Sequence, residues 1–390
     1  MNKERLLKIL PKVLSYVIVA MLSVSLTMVA MIWFVLPQKG QSKLDALEAL
    51  ILQCFIGEKD RTAMEDAAAH AMVGALGDRW SYYIPAKDYA AYLEQVKNAY
   101  VGVGMTVSVR EDGKGLDILN VTAGGPAEEA GVQAGDIIIG VDQTDIEGMA
   151  VDEVKKMIQG KAGTTVKLIL QRGNEEIALE ITRREIKMPV ATAEMLDGKI
   201  GLITIANFNT NCAAETLAAI EQLLSDGAEK LIFDVRYNPG GYAKELVKIL
   251  DRLLPEGKIF TTVDYQGKEN TDMSDAACLQ MPMAVLVNGE SYSAAEFFAA
   301  ALSEYEMAVV VGEKTCGKGY FQSTYLLPDG SAVGLSIGKY YTPKGNSLAG
   351  IGITPNALVP VTDEIAAQIY AGTLNPMEDP QILAAIEALK

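Results

Sequence analysis

The chain has 390 residues, of which 49% are hydrophobic, and this length suits two or three globular domains. Its formal net charge of −16 argues against a nucleic-acid partner, because the phosphates would be repelled. With one histidine, His70, and no paired cysteine motif, we expect neither a metal site nor a cofactor. The four cysteines are Cys54, Cys212, Cys278 and Cys316. They are interpreted as free thiols, and two disulfides are the alternative.

A nearly unbroken apolar run at residues 13–36 is long enough to span the hydrocarbon core of a bilayer. Basic residues in the segment 1–12 precede it, so the positive-inside rule puts the N-terminus in the cytoplasm. A cleaved signal peptide is the alternative, although no small-x-small cleavage site closes the run. We therefore expect a single-pass anchor in a bacterial cell membrane, with the rest of the chain extracytoplasmic.

Residues 42–98 are predicted to form a helical N-terminal region, because leucine and isoleucine recur there at helical spacing. A turn with aromatic residues interrupts the pattern at residues 77–83. His70 lies in this region and is expected to be a packed or surface residue rather than a catalytic one. A homodimer formed through the helical regions at the two ends of the chain is an alternative to a monomer that the sequence does not decide.

Residues 99–186 change in character to short strands, glycine turns and two brief helices. The segment opens with a strand at 101–105 and continues with GPAEEAG at 125–131, GDIII at 135–139 and VKLILQRG at 166–173. This ordered set resembles a PDZ domain of the bacterial protease type. A dinucleotide-binding loop is excluded, because the third glycine is absent and no crossover helix follows the first two.

A PDZ domain implies capture of a peptide C-terminus. Successive backbone N–H groups of a glycine turn converge on the carboxylate, and the neighbouring strand edge accepts the peptide as an extra strand. The residues expected to bind the peptide are Gly102, Val103, Gly104, Met105, Val154 and Ile158. A docking module that only joins two domains is the alternative interpretation.

Residues 187–370 alternate apolar strands, such as 283–287, with helices, which indicates an α/β core, and residues 371–390 are predicted to be a helical tail. Ser293 lies in the first turn of one helix, where free N–H groups and the helix dipole favour an oxyanion. An ordinary N-cap is the alternative for Ser293, and Ser291 is a rival nucleophile on the same turn.

Lys318 is the candidate general base, which requires burial so that the amine is neutral near pH 7. On an extended strand, Lys318, Tyr320 and Gln322 would share one face. Gln322 could then orient the amine without adding a charge. A solvated lysine in a turn is the alternative.

Three segments of the core resemble those of the carboxyl-terminal processing proteases. Residues 288–296 (NGESYSAAE) are similar to that family's SASASE segment, 312–322 (GEKTCGKGYFQ) to GxxTxGKGxxQ, and 234–241 (DVRYNPGG) to DLRxNxGG. Together with the PDZ domain and the turn at 78–83, the resemblance extends over roughly residues 45–390.

The resemblance implies an α+β and α/β multidomain chain with a crotonase-like serine protease core. The implied site residues are the nucleophile Ser293, the general base Lys318, the positioning residue Gln322, and the oxyanion donors Ala294 and one of Gly240 and Gly241. The chain departs from the family where Tyr292 and Ala295 replace Ala and Ser, and where Cys316 replaces the common Phe.

The sequence thus predicts a membrane-anchored, extracytoplasmic serine endopeptidase that captures substrate C-termini through its PDZ domain and cleaves with a Ser-Lys-Gln triad. Its expected partners are proteins or peptides with exposed C-termini, and the membrane through the N-terminal helix. The alternative is a catalytically silent PDZ scaffold that only binds such partners.

Overall fold

The computed structural model describes residues 3–30, 42–110 and 112–390, and the chain divides into two compact units, residues 1–68 and 69–390. The first unit contains α1 (Lys3–Ala30), α2 (Lys43–Cys54) and the beginning of α3 (Arg61–Gly74). Helix α2 begins at a capping box: the Ser42 hydroxyl accepts from the Asp45 amide at 3.1 Å, and the Asp45 carboxylate accepts from the Ser42 amide at 2.9 Å. This reciprocal pair satisfies two free N–H groups of the helix N-terminus.

The predicted anchor at residues 13–36 falls partly on α1, and its residues 31–36 lie outside the described part of the chain. Among the residues that the structure describes, no helix is both long enough and apolar enough to cross a membrane. The anchor is therefore not confirmed and stays a prediction.

The region predicted as helical at residues 42–98 contains three helices and, beside the predicted turn, one short strand that was not predicted. After α3 come a strand, β1 (Tyr82–Ile84), and then α4 (Tyr89–Lys97). Strand β1 pairs antiparallel with residues 332–334, far along the chain. Two tyrosines and an isoleucine favour a strand when a partner edge is present, and that partner cannot be seen from local spacing.

The glycine-rich domain is closed by an antiparallel pair, β2 (Ala99–Gly102) with β9 (Arg184–Lys187), so the chain enters and leaves side by side. Between them, one sheet has the order β3 (Met105–Val109), β4 (Leu116–Val121), β5 (Ile137–Val141), β7 (Thr165–Arg172) and β8 (Glu175–Thr182), with β6 (Thr144–Asp145) paired to β5. The two brief helices are α5 (Pro126–Glu129) and α6 (Val151–Ile158). The single strand predicted at 101–105 is interrupted at Val103 and Gly104, and the φ of +81° at Gly104 redirects the chain just before β3 begins.

The larger sheet of the core has the order β10 (Ala191–Leu196), β11 (Ile200–Ile205), β12 (Lys230–Asp234), β15 (Met283–Val287), β16 (Ala308–Gly312) and β19 (Ala357–Leu358). All neighbours are parallel except β10 with β11. Because parallel strands end at one edge of the sheet, the loops that follow β12 and β15 lie next to each other.

Helices cover both faces of this sheet, as its fully buried strands require. On one face pack α7 (Cys212–Ser225), α8 (Ala243–Leu253) and α9 (Ala294–Glu304), and on the other packs α11 (Pro380–Ala388). In β12, Leu231 and Phe233 face the first set, whereas Ile232 faces α11. The tail predicted over residues 371–390 is thus packed against the core, after α10 (Asp363–Ala371) and a 3₁₀ turn at Pro376–Glu378.

A second sheet carries the remaining strands. Its order is β1, β18 (Ala332–Tyr341), β13 (Gly257–Asp264) and β14 (Glu269–Ser274), and β17 (Tyr320–Leu326) also pairs with β18. This arrangement brings the turn at residues 77–84 and the segment that leads into β17 together on β18.

Candidate active site

Ser293 lies at the N-cap of α9, six residues after β15 ends. Its φ of +59° and ψ of −122° are unusual for a residue with a side chain. The surrounding loops fix this conformation: the Tyr292 amide donates to Asn238 O at 3.1 Å, and the Ser293 amide donates to the Glu296 carboxylate at 3.0 Å. Strain of this kind at a helix N-terminus is typical of a functional site.

Ser291, the rival nucleophile, has a structural role. Its side chain is fully buried, its hydroxyl donates to Val235 O at 2.7 Å, and it accepts from the Asn288 amide at 3.0 Å. These bonds hold the loop after β15 to the loop after β12. The Ser291 hydroxyl is therefore occupied, whereas Ser293 is partly exposed.

Glu296 joins the serine segment to the lysine segment. This fully buried carboxylate accepts from the Ser293 amide, and also from the Lys318 amide at 2.8 Å, the Gly317 amide at 2.7 Å and the Thr315 hydroxyl at 2.6 Å. Both candidate catalytic residues are thus anchored to one side chain. The sequence contained a signal for it, since a glutamate three residues after an N-cap serine is the spacing of a capping box.

Lys318 precedes β17 and is half-buried. Burial lowers the pKa of its amine below the ordinary value, and the neighbouring groups Asp78, Cys316 and Glu296 act in the opposite direction. The net lowering favours a neutral amine, which is the property that a general base needs. No hydrogen-bond acceptor contacts Lys318 Nζ among the residues that the structure describes; it faces two aromatic rings, Trp80 and Tyr292.

Gln322 does not share a strand face with Lys318, contrary to the sequence prediction. Strand β17 begins only at Tyr320, so Lys318 precedes the strand and lies outside its alternation of side chains. The Gln322 amide nitrogen donates to Ser336 Oγ at 3.0 Å and to Tyr320 O at 3.3 Å, so it is bonded to neighbours other than Lys318.

The backbone beside Ser293 has the form of an oxyanion site. A Cβ atom at Gly240 would lie 2.8 Å from Ser293 Cβ and 2.9 Å from the Ala294 nitrogen, so only glycine leaves this space open. The Gly240 amide donates to Asn238 Oδ1 at 2.8 Å. Within the described residues, the amides of Gly241 and Ala294 have no acceptor, and Ala294 also has the helix dipole behind it. The geometry therefore favours Gly241 over Gly240 as the second donor.

Comparisons with known sequences show the family to which the chain belongs. The sequence matches Peptidase family S41 over residues 199–359 and the PDZ domain over residues 96–171. A carboxyl-terminal-processing protease of Synechocystis sp. is 32% identical over 341 residues, which cover 85% of this chain and 77% of that protein. The chain belongs to peptidase family S41.

This chain covers different fractions of the length of other S41 relatives. A "Probable CtpA-like serine protease" of Staphylococcus aureus strain N315 is 32% identical over 326 residues, or 83% of this chain. The chain spans 65% of the length of that relative. The structure of an S41 protease from Bacteroides fragilis NCTC 9343 is similar in fold, with a TM-score of 0.53 and 16% identity over 88% of this chain and 96% of that chain.

In this S41 chain, the turn that precedes the PDZ domain contributes Asp78 to the surroundings of Lys318, a residue to which the sequence analysis gave no role. The Asp78 carboxylate accepts from the Ser81 hydroxyl at 2.6 Å and from the Trp80 amide at 3.1 Å. Burial alone would raise the pKa of Asp78, but bonds from Ser336 and Ser81 lower it overall. Because Ser336 also binds Gln322, a polar chain connects Gln322 to a carboxylate that is attracted to Lys318.

The predicted peptide-binding residues of the PDZ domain lie together. Val103, Val154 and Ile158 are buried in one apolar cluster, and Met105 packs against it while remaining partly exposed. Gly102 and Gly104 flank Val103 between β2 and β3. Val103, Val154 and Ile158 are thus core residues of this domain, and Met105 is the apolar member of the predicted set whose side chain is partly accessible.

The four cysteines are free thiols, so the alternative of two disulfides is not seen. Cys212 is buried, Cys54 is exposed, and Cys316 lies near Lys318, where its Sγ is 3.5 Å from Arg79. Within residues 3–30, 42–110 and 112–390, no group of three His, Cys, Asp or Glu side chains is arranged to hold a metal ion.

Proposed function

We propose that this chain is a serine endopeptidase in which Ser293 is the nucleophile and Lys318 is the general base. The observation that carries the proposal is the buried Glu296 carboxylate, which binds the amides of both residues and so fixes their backbones beside each other. The lowered pKa of Lys318 and the free amides of Ala294 and Gly241 supply the two further requirements, a base and an oxyanion site.

In the proposed mechanism, neutral Lys318 takes the proton of the Ser293 hydroxyl as its oxygen attacks the scissile carbonyl. The amides of Ala294 and Gly241 stabilise the resulting oxyanion. Lys318 then protonates the leaving amine, and an ester between Ser293 and the acyl part of the substrate remains. Water, deprotonated by Lys318, hydrolyses this ester. Gln322 would orient the amine through its side-chain oxygen, because its nitrogen already donates to Ser336.

A polypeptide substrate is supported by the space beside the lysine segment. A cavity of about 1210 Å³ adjoins Gly317 and is lined largely by aromatic and aliphatic side chains. Six of them are Trp80, Tyr265, Tyr325, Leu335, Ile337 and Tyr341. This volume exceeds that of most small-molecule sites, which fits an extended chain better than a small ester.

A fluorophosphonate probe, which forms a phosphonyl ester with an activated serine as fluoride leaves, tests the catalytic proposal. We expect mass spectrometry of the digested wild-type protein to locate the adduct on Ser293, and we expect Ser293→Ala and Lys318→Ala to abolish labelling. Adduct formation on another serine would contradict the assignment. Complete absence of labelling in a folded, peptide-binding protein would instead favour the PDZ scaffold.

The PDZ domain is proposed to capture substrate C-termini, supported by the PDZ match over residues 96–171 and by the partly exposed Met105 beside the apolar cluster of the domain. A fluorescent peptide that ends in an apolar residue with a free carboxylate is expected to bind the full chain. The same peptide with a C-terminal amide is the matched control and is expected to bind much more weakly, because it lacks the charge that the backbone amides recognise. Equal anisotropy changes for the two peptides would contradict C-terminal capture.

Membrane anchoring through residues 13–36 is a separate proposal, supported by the apolar run and the basic residues before it. The protein in cells is expected to resist extraction by high salt and alkaline carbonate and to dissolve in detergent. Release by salt alone would contradict an embedded helix.

A further inference from the structure

Two aromatic rings from separate parts of the chain enclose the amine of Lys318. Its Nζ is 4.8 Å from the centre of the Trp80 ring and 5.6 Å from the centre of the Tyr292 ring. The two ring centres are 5.7 Å apart and the planes are inclined by 36°. Trp80 precedes β1, whereas Tyr292 directly precedes Ser293.

We infer that Trp80 and Tyr292 form an aromatic clamp that positions the Lys318 amine for proton transfer and keeps water away from it. The inference rests on the proposed role of Lys318 as general base. Tyr292 is also a residue in which this chain departs from its family's serine segment, so the clamp is a feature of this chain's own sequence.

The carboxylates nearest to the Lys318 amine are bonded to other groups. The charged and titratable groups that face Lys318 are Asp78, Cys316 and Glu296. Glu296 already accepts four hydrogen bonds, and Asp78 is held by Ser81 and the Trp80 amide. Tyr292 is faced in turn by Glu290, Cys316 and Arg79. Aromatic faces therefore occupy the positions where a free amine would otherwise meet solvent.

Two opposing effects of the rings on Lys318 can be ranked by size. A cation–π contact with the rings favours the ammonium form of Lys318. Removal of an ammonium group from water costs more free energy than such a contact returns, and it favours the neutral amine. Exclusion of water is thus the larger effect, in agreement with burial as the leading cause of the lowered pKa of Lys318.

The test measures the rate at which the fluorophosphonate probe labels Ser293 as a function of pH. Since only the neutral amine acts as a base, labelling rises as the pH passes the pKa of Lys318. In Tyr292→Ala, water reaches the amine, and we expect this rise to move to higher pH by about one unit, or ~10-fold slower labelling at acidic pH. Trp80→Ala opens the clamp from the other side and is expected to move the rise in the same direction.

Rescue and control variants separate this effect from a general loss of structure. Tyr292→Phe retains the ring and is expected to restore the wild-type pH dependence. Tyr370→Ala removes an exposed aromatic residue of α10 and should leave it unchanged. If one alanine variant of the clamp fails to fold, the pH dependence of labelling in the other variant still tests the clamp.

The outcomes distinguish the clamp from the proposed function. If wild-type Ser293 is labelled and the folded alanine variants show the wild-type pH dependence, or a shift to lower pH, the clamp is wrong and the mechanism stands. If wild-type Ser293 is not labelled at any pH, the mechanism fails, and the clamp with it.

Discussion

Replacement of Glu296 by glutamine is expected to slow acylation of Ser293 by ~10²–10³-fold, similar to the loss of an oxyanion donor in a serine protease. Glu296 is fully buried and each of its oxygens accepts two hydrogen bonds. In glutamine one of these oxygens becomes an NH₂ group, so two donors lose their acceptor whichever way the amide is turned. Either the Ser293 and Lys318 amides, or the Thr315 hydroxyl and the Gly317 amide, must then move.

Stability is expected to fall as well, by about 2–5 kcal/mol, since two hydrogen bonds to a buried carboxylate are lost. Chemical denaturation measures this loss, and the rate of probe labelling measures the effect on the site. Both measurements are needed, because only the second reports on the positions of Ser293 and Lys318.

Glu304→Gln is the matched control on the same helix. The Glu304 carboxylate binds the Thr342 hydroxyl, the Lys344 amide and the Asn346 amide group, at the end of α9 away from Ser293. This variant is expected to lose stability and to retain the wild-type labelling rate. If Glu296→Gln also retained that rate, the joining role of Glu296 would be refuted.

The sequence predicted the buried parts of the fold well. Strand β15 has the predicted bounds, Met283–Val287, because each of its five side chains is buried and apolar. Strands β13 and β14 were missed, since polar and partly exposed residues such as Thr261 and Asp272 interrupt their apolar pattern. Their pairing with each other and with β18 is set by tertiary contacts, which local spacing does not contain.

The candidate site was predicted residue by residue, but its connections were not. The prediction of Ser293 over Ser291 agrees with the buried, bonded state of the Ser291 hydroxyl. The expected shared face of Lys318 and Gln322 was wrong, because β17 begins only at Tyr320 and the start of a strand is not fixed by local alternation. Glu296 was visible as part of a motif, yet three of its four hydrogen bonds come from the loop of Thr315, Gly317 and Lys318, which lies 19 to 22 residues further along the chain.

Arg236 holds the loop after β12 to the C-terminal helix. Its guanidinium donates to the Asp234 carboxylate through Nε at 2.9 Å, to Asp379 at 2.7 Å and to Gln381 Oε1 at 2.9 Å. Burial alone would lower the pKa of Arg236, but Asp234 and Asp379 raise it above the ordinary value. Asp379 in turn caps α11 by accepting from the Gln381 amide at 2.8 Å. The glycines of the oxyanion site follow on the same loop, within a few residues of Arg236.

Arg236→Met is therefore expected to reduce the free energy of unfolding by about 3–5 kcal/mol, because Asp234 and Asp379 remain buried without their cation. Urea denaturation followed by circular dichroism measures the loss. Lys199→Met breaks an ion pair with Glu229 in which both side chains are exposed, and it should leave the midpoint unchanged. Equal midpoints for the two variants would mean that water or local rearrangement replaces the guanidinium. The loop that carries Gly240 and Gly241 would then not depend on Arg236.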